Sequence, residues 1–268
     1  MQARDTCAVE SFRQDPLLIG GLGGSGTRVL SRIARHGGLF MGYVDHHEDA
    51  KAFSRLYQRH ARRYLEQGQR FSPAERATVD SFLDKRLRLH LDGLPGPDHP
   101  WGVKNPRSIF MLPYWAERFT GLRFLHVVRN GLDMAYSGNT NQLRKYGDVV
   151  LRDGMEELSP DRAILFWEEA NRVAADFGER HLSGRYHRVL LEELCADPAG
   201  VVRDVFAFIG AAPDEAAYRN ALAEVREPAT LGRWRDQPIE QTARLAKLAW
   251  GGLEHFGYAG DLTMVAPR

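Results

Sequence analysis

"LLIGGLGGSGTRVLSRIARHGG" (residues 17–38) runs from a short apolar stretch through a glycine-rich turn into an amphipathic stretch. The apolar residues at positions 29, 30, 33 and 34 repeat at the spacing of one helix face, which predicts a helix directly after the glycines. The free amides at a helix N-terminus bind anions, phosphate above all. The segment therefore predicts a strand–loop–helix that holds a phosphate group.

The first interpretation of this turn is a dinucleotide site. Gly21, Gly23 and Gly26 match the G-x-G-x-x-G pattern, and Asp45 lies 19 residues beyond the last glycine. An NAD-dependent oxidoreductase has a ribose-binding acid at about this distance, at the end of a second strand. The residues that follow, "HHEDAKAF" (46–53), are polar and indicate a helix, so this interpretation rests on the glycines and Asp45 alone.

The second interpretation is the P-loop of a nucleoside triphosphatase. The spacing from Gly21 to Gly26 fits, but Thr27 and Arg28 stand where that loop has a lysine followed by a hydroxyl residue. The lysine binds the terminal phosphates and the hydroxyl binds magnesium. Magnesium-dependent phosphoryl transfer is therefore disfavoured.

The third interpretation is a phosphosulfate-binding loop without a metal ion. The amides of residues 24–28 and the hydroxyls of Ser25 and Thr27 would surround the anion, and Arg28 would supply the positive charge. The helix N-terminus contributes about 0.3–1 kcal/mol, and up to about 2 kcal/mol in a partly buried site. The glycine turn alone leaves the dinucleotide and phosphosulfate interpretations open.

The composition is that of an ordinary globular protein. The 268 residues are 43% hydrophobic and 26% charged with a net charge of +1, so no basic excess indicates a nucleic-acid partner. Cys7 and Cys195 are far apart, which favours free thiols in a reducing compartment. No signal peptide, membrane span or metal-ligand cluster is evident, so we expect a cytoplasmic protein without a metal.

Short apolar runs alternate with helical patterns, which predicts one α/β domain over residues 1–268 with a central parallel sheet flanked by helices. The candidate strands are 17–20, 101–104, 122–128 and 186–191. Helices are expected after Ser72 and Ser159, and before Gly210. An arginine-rich helical insertion spans about 46–95.

A second anion-binding pattern lies in "WGVKNPRSIFMLPYWAERFTGLRFLHVVRNGLDMAYSGNTNQL" (101–143). The apolar strand "LRFLHVV" leads into Arg129, and Ser137 follows eight residues later, after the start of a helix. Such a pair can contact one anion from two sides, with charge-assisted hydrogen bonds of about 1.5–3 kcal/mol each. A dinucleotide fold has no reason to place this pair here.

Together these motifs resemble the sulfotransferase family that uses 3′-phosphoadenosine 5′-phosphosulfate (PAPS), in particular its bacterial members. In that family a K/R-x-G-T strand–loop–helix holds the 5′-phosphosulfate and a strand–R–x₇–S element holds the 3′-phosphate. "GGSGTR" (23–28) matches the first and "VVRNGLDMAYS" (127–137) the second. Further matches are "KNP" (104–106), "VLLEELCADPAGVVRDVFAFIG" (189–210), "LGRWR" (231–235) and "HFGYA" (255–259).

The resemblance implies PAPS as the sulfuryl donor and 3′,5′-ADP as the product. Two positions depart from the pattern: Gly24 stands where many members have lysine or arginine, and Leu191 stands where a tyrosine packs on adenine. Arg28 and Trp234 are the candidates to replace those two functions. The cofactor-binding residues implied are Gly23, Gly24, Ser25, Gly26, Thr27, Arg28, Arg129, Ser137, Arg233, Trp234 and Arg235.

The resemblance also implies in-line transfer of the sulfuryl group to a hydroxyl or amine. Lys104 is the candidate that stabilises the bridging oxygen. Counting 19 to 20 residues from Gly26 reaches Asp45 and His46 as candidate catalytic residues, with Asp45 preferred as the base. Glu48 and Asp49 are further candidates, and the same cluster could instead cap a helix.

The acceptor is a small molecule, a lipid or a glycan, and the sequence does not choose among them or fix the oligomeric state. Segments 46–95 and 138–160 are expected to build its pocket, using arginines and the aromatic residues Tyr43, Phe53, Tyr57, Tyr64 and Tyr146. Two alternatives stay open: an NAD-dependent oxidoreductase, and a non-catalytic nucleotide-binding protein, which the missing cation at position 24 favours.

Overall fold

Four short strands form one parallel sheet in the computed structural model, which describes residues 13–262. The strand order across the sheet is β2-β1-β3-β4, with Ile19 opposite Lys104 and Gly21 opposite Val127. All four predicted strands are confirmed, as is the parallel α/β class. The strands are β1 (Leu17–Gly21), β2 (Gly102–Lys104), β3 (Arg123–Val128) and β4 (Tyr186–Leu190).

Helices cover both faces of the sheet. Within residues 13–262 there are twelve α-helices and four 3₁₀ segments, the latter at Lys51–Phe53, Pro106–Met111, Arg233–Asp236 and Ala259–Leu262. The α-helices are α1 (Thr27–His36), α2 (Ser54–Glu66), α3 (Pro73–His90), α4 (Leu112–Arg118), α5 (Gly131–Ala135), α6 (Asn141–Leu151), α7 (Pro160–His181), α8 (Leu191–Ala196), α9 (Pro198–Ile209), α10 (Glu215–Glu224), α11 (Ile239–Leu248) and α12 (Trp250–His255).

The helix ends lie where the sequence signals predict them. Ser72 and Glu75 form a reciprocal capping box at the start of α3, which satisfies two amides that have no partner inside the helix. The Ser159 hydroxyl accepts a hydrogen bond from the Arg162 amide at the start of α7. Gly210 ends α9 with a φ of 72°, the left-handed conformation that glycine adopts without strain.

Every residue of β1 is buried because hydrophobic clusters cover both faces of the sheet. Leu18 and Phe124 face the cluster that contains α7, whereas Ile19 and Leu125 face the cluster that contains α1 and α9. Successive residues point to opposite faces of a strand, so each strand contributes to both clusters. The sheet is thus held as a rigid central layer.

The carboxyl ends of the four strands meet at one edge of the sheet because the strands are parallel. At this edge β1 leads into the glycine turn, β2 into Asn105, β3 into Arg129 and β4 into Leu191. In open α/β sheets, ligands bind outside this edge. The fold therefore brings the two predicted anion-binding elements to one place.

The segment that contains Asp45 forms no strand. It makes only isolated bridges, Phe40 with Trp101 and Val44 with Ala50, and the strands beside β1 come from residues 102–104 and 123–128. A dinucleotide fold needs an acid at the end of a second strand. The NAD-dependent alternative is therefore disfavoured by the topology.

The predicted insertion folds as helices α2 and α3, whose buried residues join the cluster on the α7 side of the sheet. Across residues 13–262, the longest helices are too polar to cross a membrane. Cys7 lies outside the described residues, and Cys195 is a partly buried free thiol in α8.

His90 makes the stability of the fold dependent on pH. Its ring is buried against β2, with Nε2 2.8 Å from the Gly102 carbonyl oxygen, and burial lowers its pKa to about 4. Its stabilising contribution is therefore complete above about pH 6.5 and is lost as the pH falls towards 4. We predict that between about pH 7.5 and about pH 5 the wild type loses about 2 kcal/mol more unfolding free energy than His90→Gln, measured by urea denaturation. Equal losses in the two proteins would contradict the assignment.

Candidate functional site

The glycine turn leaves the N-terminus of α1 open. Gly24 and Gly26 have φ values of 103° and 99°, and α1 begins with no side chain capping it among the described residues. The backbone conformation at position 26 favours glycine, and a Cβ atom there would also lie 2.8 Å from Cδ1 of Leu191, which would have to shift. The first amides of α1 are thereby free to bind an anion.

A buried hydroxyl beside these amides also has no partner. Ser25 is 1% exposed, and in the described structure its Oγ accepts and donates no hydrogen bond. The neighbouring Gly23 amide donates to Oε1 of Gln142 at 2.7 Å, which fixes the turn against α6. A buried polar atom without a partner costs free energy, so Ser25 Oγ has unused hydrogen-bonding capacity beneath the turn, although Ser25 itself is not in the lining of the cleft described below.

Arg129 lies beside the same turn and is held by Asp133. Its Nε and Nη2 lie 3.1 and 2.7 Å from Asp133 Oδ2, and the two residues are 3% and 1% exposed. Nη1 lies 3.5 Å from the Gly24 carbonyl oxygen. Ser137 flanks Gly24 as well, since its Oγ is 3.8 Å from where a Cβ on Gly24 would be. Both members of the predicted pair therefore lie next to Gly24.

Asp133 also fixes a segment one hundred residues away. Its carboxylate accepts the amide of Gly232 at 2.8 Å and that of Trp234 at 3.3 Å, while Arg129 Nη2 donates to the Thr230 carbonyl. The motifs "RNGLD" and "TLGRW" are thus joined through one buried carboxylate. Sequence reasoning missed Asp133, although the i, i+4 spacing from Arg129 is a signal for an ion pair on one helix face.

Glu192 joins two further motifs of the resemblance. Its Oε1 accepts the Asn130 amide at 3.0 Å, and its Oε2 accepts the Tyr258 hydroxyl at 2.7 Å. Burial raises the pKa of this carboxyl group. The "LEEL" and "HFGYA" stretches therefore act together to position the backbone directly after Arg129.

Lys104 ends β2 at the opposite side of the turn. It is 2% exposed, and its Nζ lies 2.5 Å from Asp49 Oδ1 and 2.8 Å from the His47 carbonyl oxygen. Burial lowers the pKa of the ammonium group, and the charge of Asp49 opposes that effect. Arg28 Nη2 donates to Nδ1 of the His47 ring at 2.8 Å. The cluster 45–49 thus packs against both predicted cations, Arg28 and Lys104.

The four candidate bases, Asp45, His46, Glu48 and Asp49, have different surroundings in the structure. The Asp45 Oδ1 accepts the amides of His47 and Asp49 at 2.8 and 3.0 Å, so Asp45 caps a turn. Glu48 pairs with Arg32 and Arg35, and the His46 ring packs at a tilt of 44° against the His47 ring with the centroids 3.8 Å apart. Of these four residues only Asp49 is in the lining of the cleft described next.

A cleft of about 860 Å³ lies at this edge of the sheet. The glycine turn, the start of α1, Lys104 and Arg129 all line it. Among the described lining residues, three carboxylates (Asp49, Glu224 and Glu227) face eight cations, namely Arg28, Arg32, Lys104, Arg107, Arg129, Lys145, Arg226 and Arg233. Such an excess of positive charge suits a ligand with several negative groups.

The aromatic side chains that were expected in the acceptor pocket do not line the cleft. Phe53, Tyr57, Tyr64 and Tyr146 are buried in the hydrophobic cluster on the α7 side, and Tyr43 is exposed outside the cleft. The described lining of the cleft includes no phenylalanine, tyrosine or tryptophan. The rings of Phe53, Tyr57 and Tyr64 lie on the buried side of segment 46–95, where large apolar groups are most stable.

Of the three residues predicted in "GRWR", one reaches the cleft. Arg233 lines it and donates to the Thr230 and Tyr136 carbonyl oxygens at 3.1 and 3.3 Å. Trp234 is buried in the core, and the Arg235 guanidinium lies 4.7 Å from its ring centroid. This placement does not support the adenine and phosphate contacts expected of Trp234 and Arg235. Leu191 lines the cleft instead.

Comparison with solved structures finds the same fold. The sulfotransferase domain of the Synechococcus PCC 7002 olefin synthase is 19% identical with a TM-score of 0.52, over 91% of this chain and 98% of that one. The sulfotransferase from Alicyclobacillus acidocaldarius is 17% identical with a TM-score of 0.49, over 88% and 94%. Mouse sulfotransferase SULT7A1, complexed with PAP, is 12% identical with a TM-score of 0.48, over 91% and 86%.

The sequence matches a family as a whole rather than any characterised relative. No curated protein matches it closely enough to count as a relative. A model described as the sulfotransferase family matches residues 16–215, which include the glycine turn, Lys104, Arg129 and Glu192. This chain belongs to the sulfotransferase family.

Proposed function

We propose that this protein transfers a sulfuryl group from PAPS to a hydroxyl or amine and releases 3′,5′-ADP. The observation that carries the proposal is the position of Arg129, which is buried and fixed by Asp133. It lies next to Gly24, as Ser137 does, and beside the uncapped start of α1. Two anion-binding elements thus share one cleft. A nucleotide with both a 5′-phosphosulfate and a 3′-phosphate has the charge pattern that this arrangement fits.

The 5′ end of the donor would bind at the glycine turn. The amides of residues 24 and 26–28 and the hydroxyls of Ser25 and Thr27 would surround the phosphate, with Arg28 as the adjacent cation. The Ser25 amide, also predicted to bind it, instead donates to the Leu22 carbonyl oxygen at 3.1 Å. The uncapped start of α1, whose residues Thr27 and Arg28 line the cleft, supports this assignment. The left-handed conformation of Gly24 explains why no lysine or arginine stands there, since L side chains rarely adopt it.

The 3′-phosphate would bind to Arg129, Ser137 and Arg233. Burial lowers the pKa of Arg233, and the nearby charge of Arg129 acts in the same direction. Two guanidinium groups that repel each other gain from an anion bound between them. The carboxylate of Asp133 prevents Arg129 from being an unpaired buried charge while the site is empty.

Transfer of the sulfuryl group requires a base and a cation at the leaving oxygen. As the acceptor oxygen bonds to sulfur, its proton would pass to Asp49, and the sulfur–oxygen bond to the 5′-phosphate would break. Protonation of Asp49 removes the negative charge that holds Lys104. The freed ammonium group would then stabilise the charge on the departing phosphate oxygen, where fixed cations contribute most to the rate.

Asp49 is a better candidate than Asp45 or His46. One Asp49 oxygen contacts Lys104, and Asp49 lines the cleft. Although partial burial opposes it, the amides of Asp49 and His47 lower the pKa of Asp45. The Asp45 carboxylate binds the amides of its own turn and does not line the cleft. The role predicted for Asp45 from spacing is therefore reassigned to a residue four positions later.

The 3′-phosphate site predicts a specific binding pattern. We expect 3′,5′-ADP to bind more tightly than 5′-AMP in the absence of magnesium, because only the former reaches Arg129. Arg129→Lys keeps the charge opposite Asp133 but loses the guanidinium fork, so the affinity for 3′,5′-ADP should fall about tenfold or more. The affinity for 5′-AMP should change little. Isothermal titration of both ligands into the wild type and the variant measures these affinities.

Arg235→Gln is the matched control, since it removes an exposed arginine outside the cleft lining and should leave both affinities unchanged. Equal affinities for the two ligands in the wild type would contradict the 3′-phosphate site. Tight 3′,5′-ADP binding without transfer to any acceptor would support a non-catalytic nucleotide-binding protein.

If Asp49 is the base, substitutions of Asp49 and Asp45 should differ in their effect on the transfer rate. Asp49→Asn should lower the rate of transfer from PAPS by about 10²–10⁴-fold, because the amide cannot take the proton. Asp45→Asn should have a much smaller effect, since Asp45 caps a turn outside the lining. Release of ³⁵S-labelled sulfuryl groups from PAPS, to the best acceptor or to water, measures both. A larger loss in Asp45→Asn would restore Asp45 as the base.

A further inference from the structure

The order of the strands divides the cleft into two ends. Because β2 and β4 are the outer strands, the residues that follow them lie on opposite sides of the glycine turn. The end beside β3 and β4 contains Arg129, Leu191 and lining residues of the segment 224–233. Arg129 and Arg233 of this group were assigned above to the 3′-phosphate of the nucleotide. The end beside β2 is lined by residues of α2 and α6 and by Pro106 and Arg107. If the nucleotide occupies the first end, the acceptor enters through the second.

The acceptor end is polar throughout. Its lining residues are Gln58 of α2, Pro106 and Arg107 after β2, and Asn139, Asn141, Gln142 and Lys145 in or next to α6. A pocket for an apolar acceptor is lined mainly by aliphatic and aromatic side chains. In this described lining there are none beyond a single proline, so a hydrophobic ring or lipid tail finds little to contact.

Two cations at this end lack an acidic partner. Across residues 13–262, neither Arg107 nor Lys145 forms an ion pair: Arg107 Nε contacts Asn105 Oδ1 at 3.3 Å, and its guanidinium lies 5.9 Å from the Tyr57 ring. The acid nearest to Lys145 along α6, Asp148, is already bound by both terminal nitrogens of Arg62. The protein therefore does not neutralise this pair of charges itself.

We propose that the acceptor is an alcohol that carries an oxyanion of its own, a carboxylate or a sulfate ester, and that Arg107 and Lys145 bind this group. The side-chain amides of Gln58 and Asn141 supply hydrogen bonds to further hydroxyl groups, and the reacting hydroxyl faces Asp49. The inference rests on the proposed function, because it assigns the remaining end of the same cleft. It selects polar acidic acceptors, such as hydroxy acids and uronic acid glycosides, over neutral phenols and lipids.

The test compares acidic compounds with neutral partners of the same shape. The probes are methyl β-D-glucuronide with its uronamide, 4-hydroxyphenylacetate with its amide, and glucose 6-sulfate with glucose. Binding is measured by saturation-transfer NMR on the protein saturated with 3′,5′-ADP, at about 1 mM probe to reach millimolar Kd values. We expect the acidic member of at least one pair to bind about tenfold more tightly than its neutral partner.

The double variant Arg107→Gln/Lys145→Gln should abolish this preference, whereas Arg55→Gln/Arg144→Gln removes the same charge from exposed positions outside the lining and should keep it. Carboxylate and sulfate probes separate the two kinds of oxyanion. Acidic probes that bind no better than neutral ones, or a preference that survives in the first double variant, would overturn the inference.

Binding of 3′,5′-ADP is recorded on the same samples. It distinguishes failure of the acceptor inference from failure of the proposed function. If 3′,5′-ADP binds and no acidic probe does, the acceptor inference alone is wrong. If 3′,5′-ADP does not bind, the proposed function is wrong and the acceptor inference falls with it. Unchanged 3′,5′-ADP affinity in both double variants shows that they are folded.

Discussion

The carboxylate of Asp133 is the group on which the nucleotide end of the site depends. It lies almost without solvent contact between the Arg129 guanidinium and the amides of Gly232 and Trp234, so it holds the end of β3, the helix α5 and the segment 230–234 in one arrangement. Removing one member of a buried ion pair costs about 3–5 kcal/mol because the other charge stays unpaired. Because breaking the pair is so costly, Asp133 keeps Arg129 charged and in one position at the edge of the cleft.

The pair Lys104 and Asp49 organises the other end of the site. This pair differs from the first because its carboxylate also lines the cleft. Asp133 is fully used by Arg129 and two amides, and so it is a structural group. Asp49 instead borders the cleft, where a proton from a ligand can reach it. One ion pair therefore fixes a cation, and the other can release a cation when its acid is protonated. Arg28 and Lys104, which both contact His47, are the cations that we propose in place of one at position 24.

Local sequence signals predicted the local structure well. The strands, the helix after the glycine turn, the caps at Ser72 and Ser159 and the end of α9 at Gly210 all depend on neighbouring residues, and each lies where it was expected. The site could not be predicted in the same way, because it is formed by contacts between residues that are far apart in the sequence. Asp133 reaches a segment one hundred positions later, and Tyr258 reaches Glu192. Counting from Gly26 favoured Asp45, and a count cannot show that this carboxylate accepts the amides of its own turn.

The most direct test of this account is a crystal structure of the protein with 3′,5′-ADP. The account predicts the 3′-phosphate within hydrogen-bond distance of Arg129 and Ser137, the 5′-phosphate at the amides of the first turn of α1, and the Arg129–Asp133 pair unchanged. It also predicts an open channel from the 5′-phosphate towards Arg107. A nucleotide bound in the reverse orientation, or one whose 3′-phosphate lies away from Arg129, would contradict the central claim.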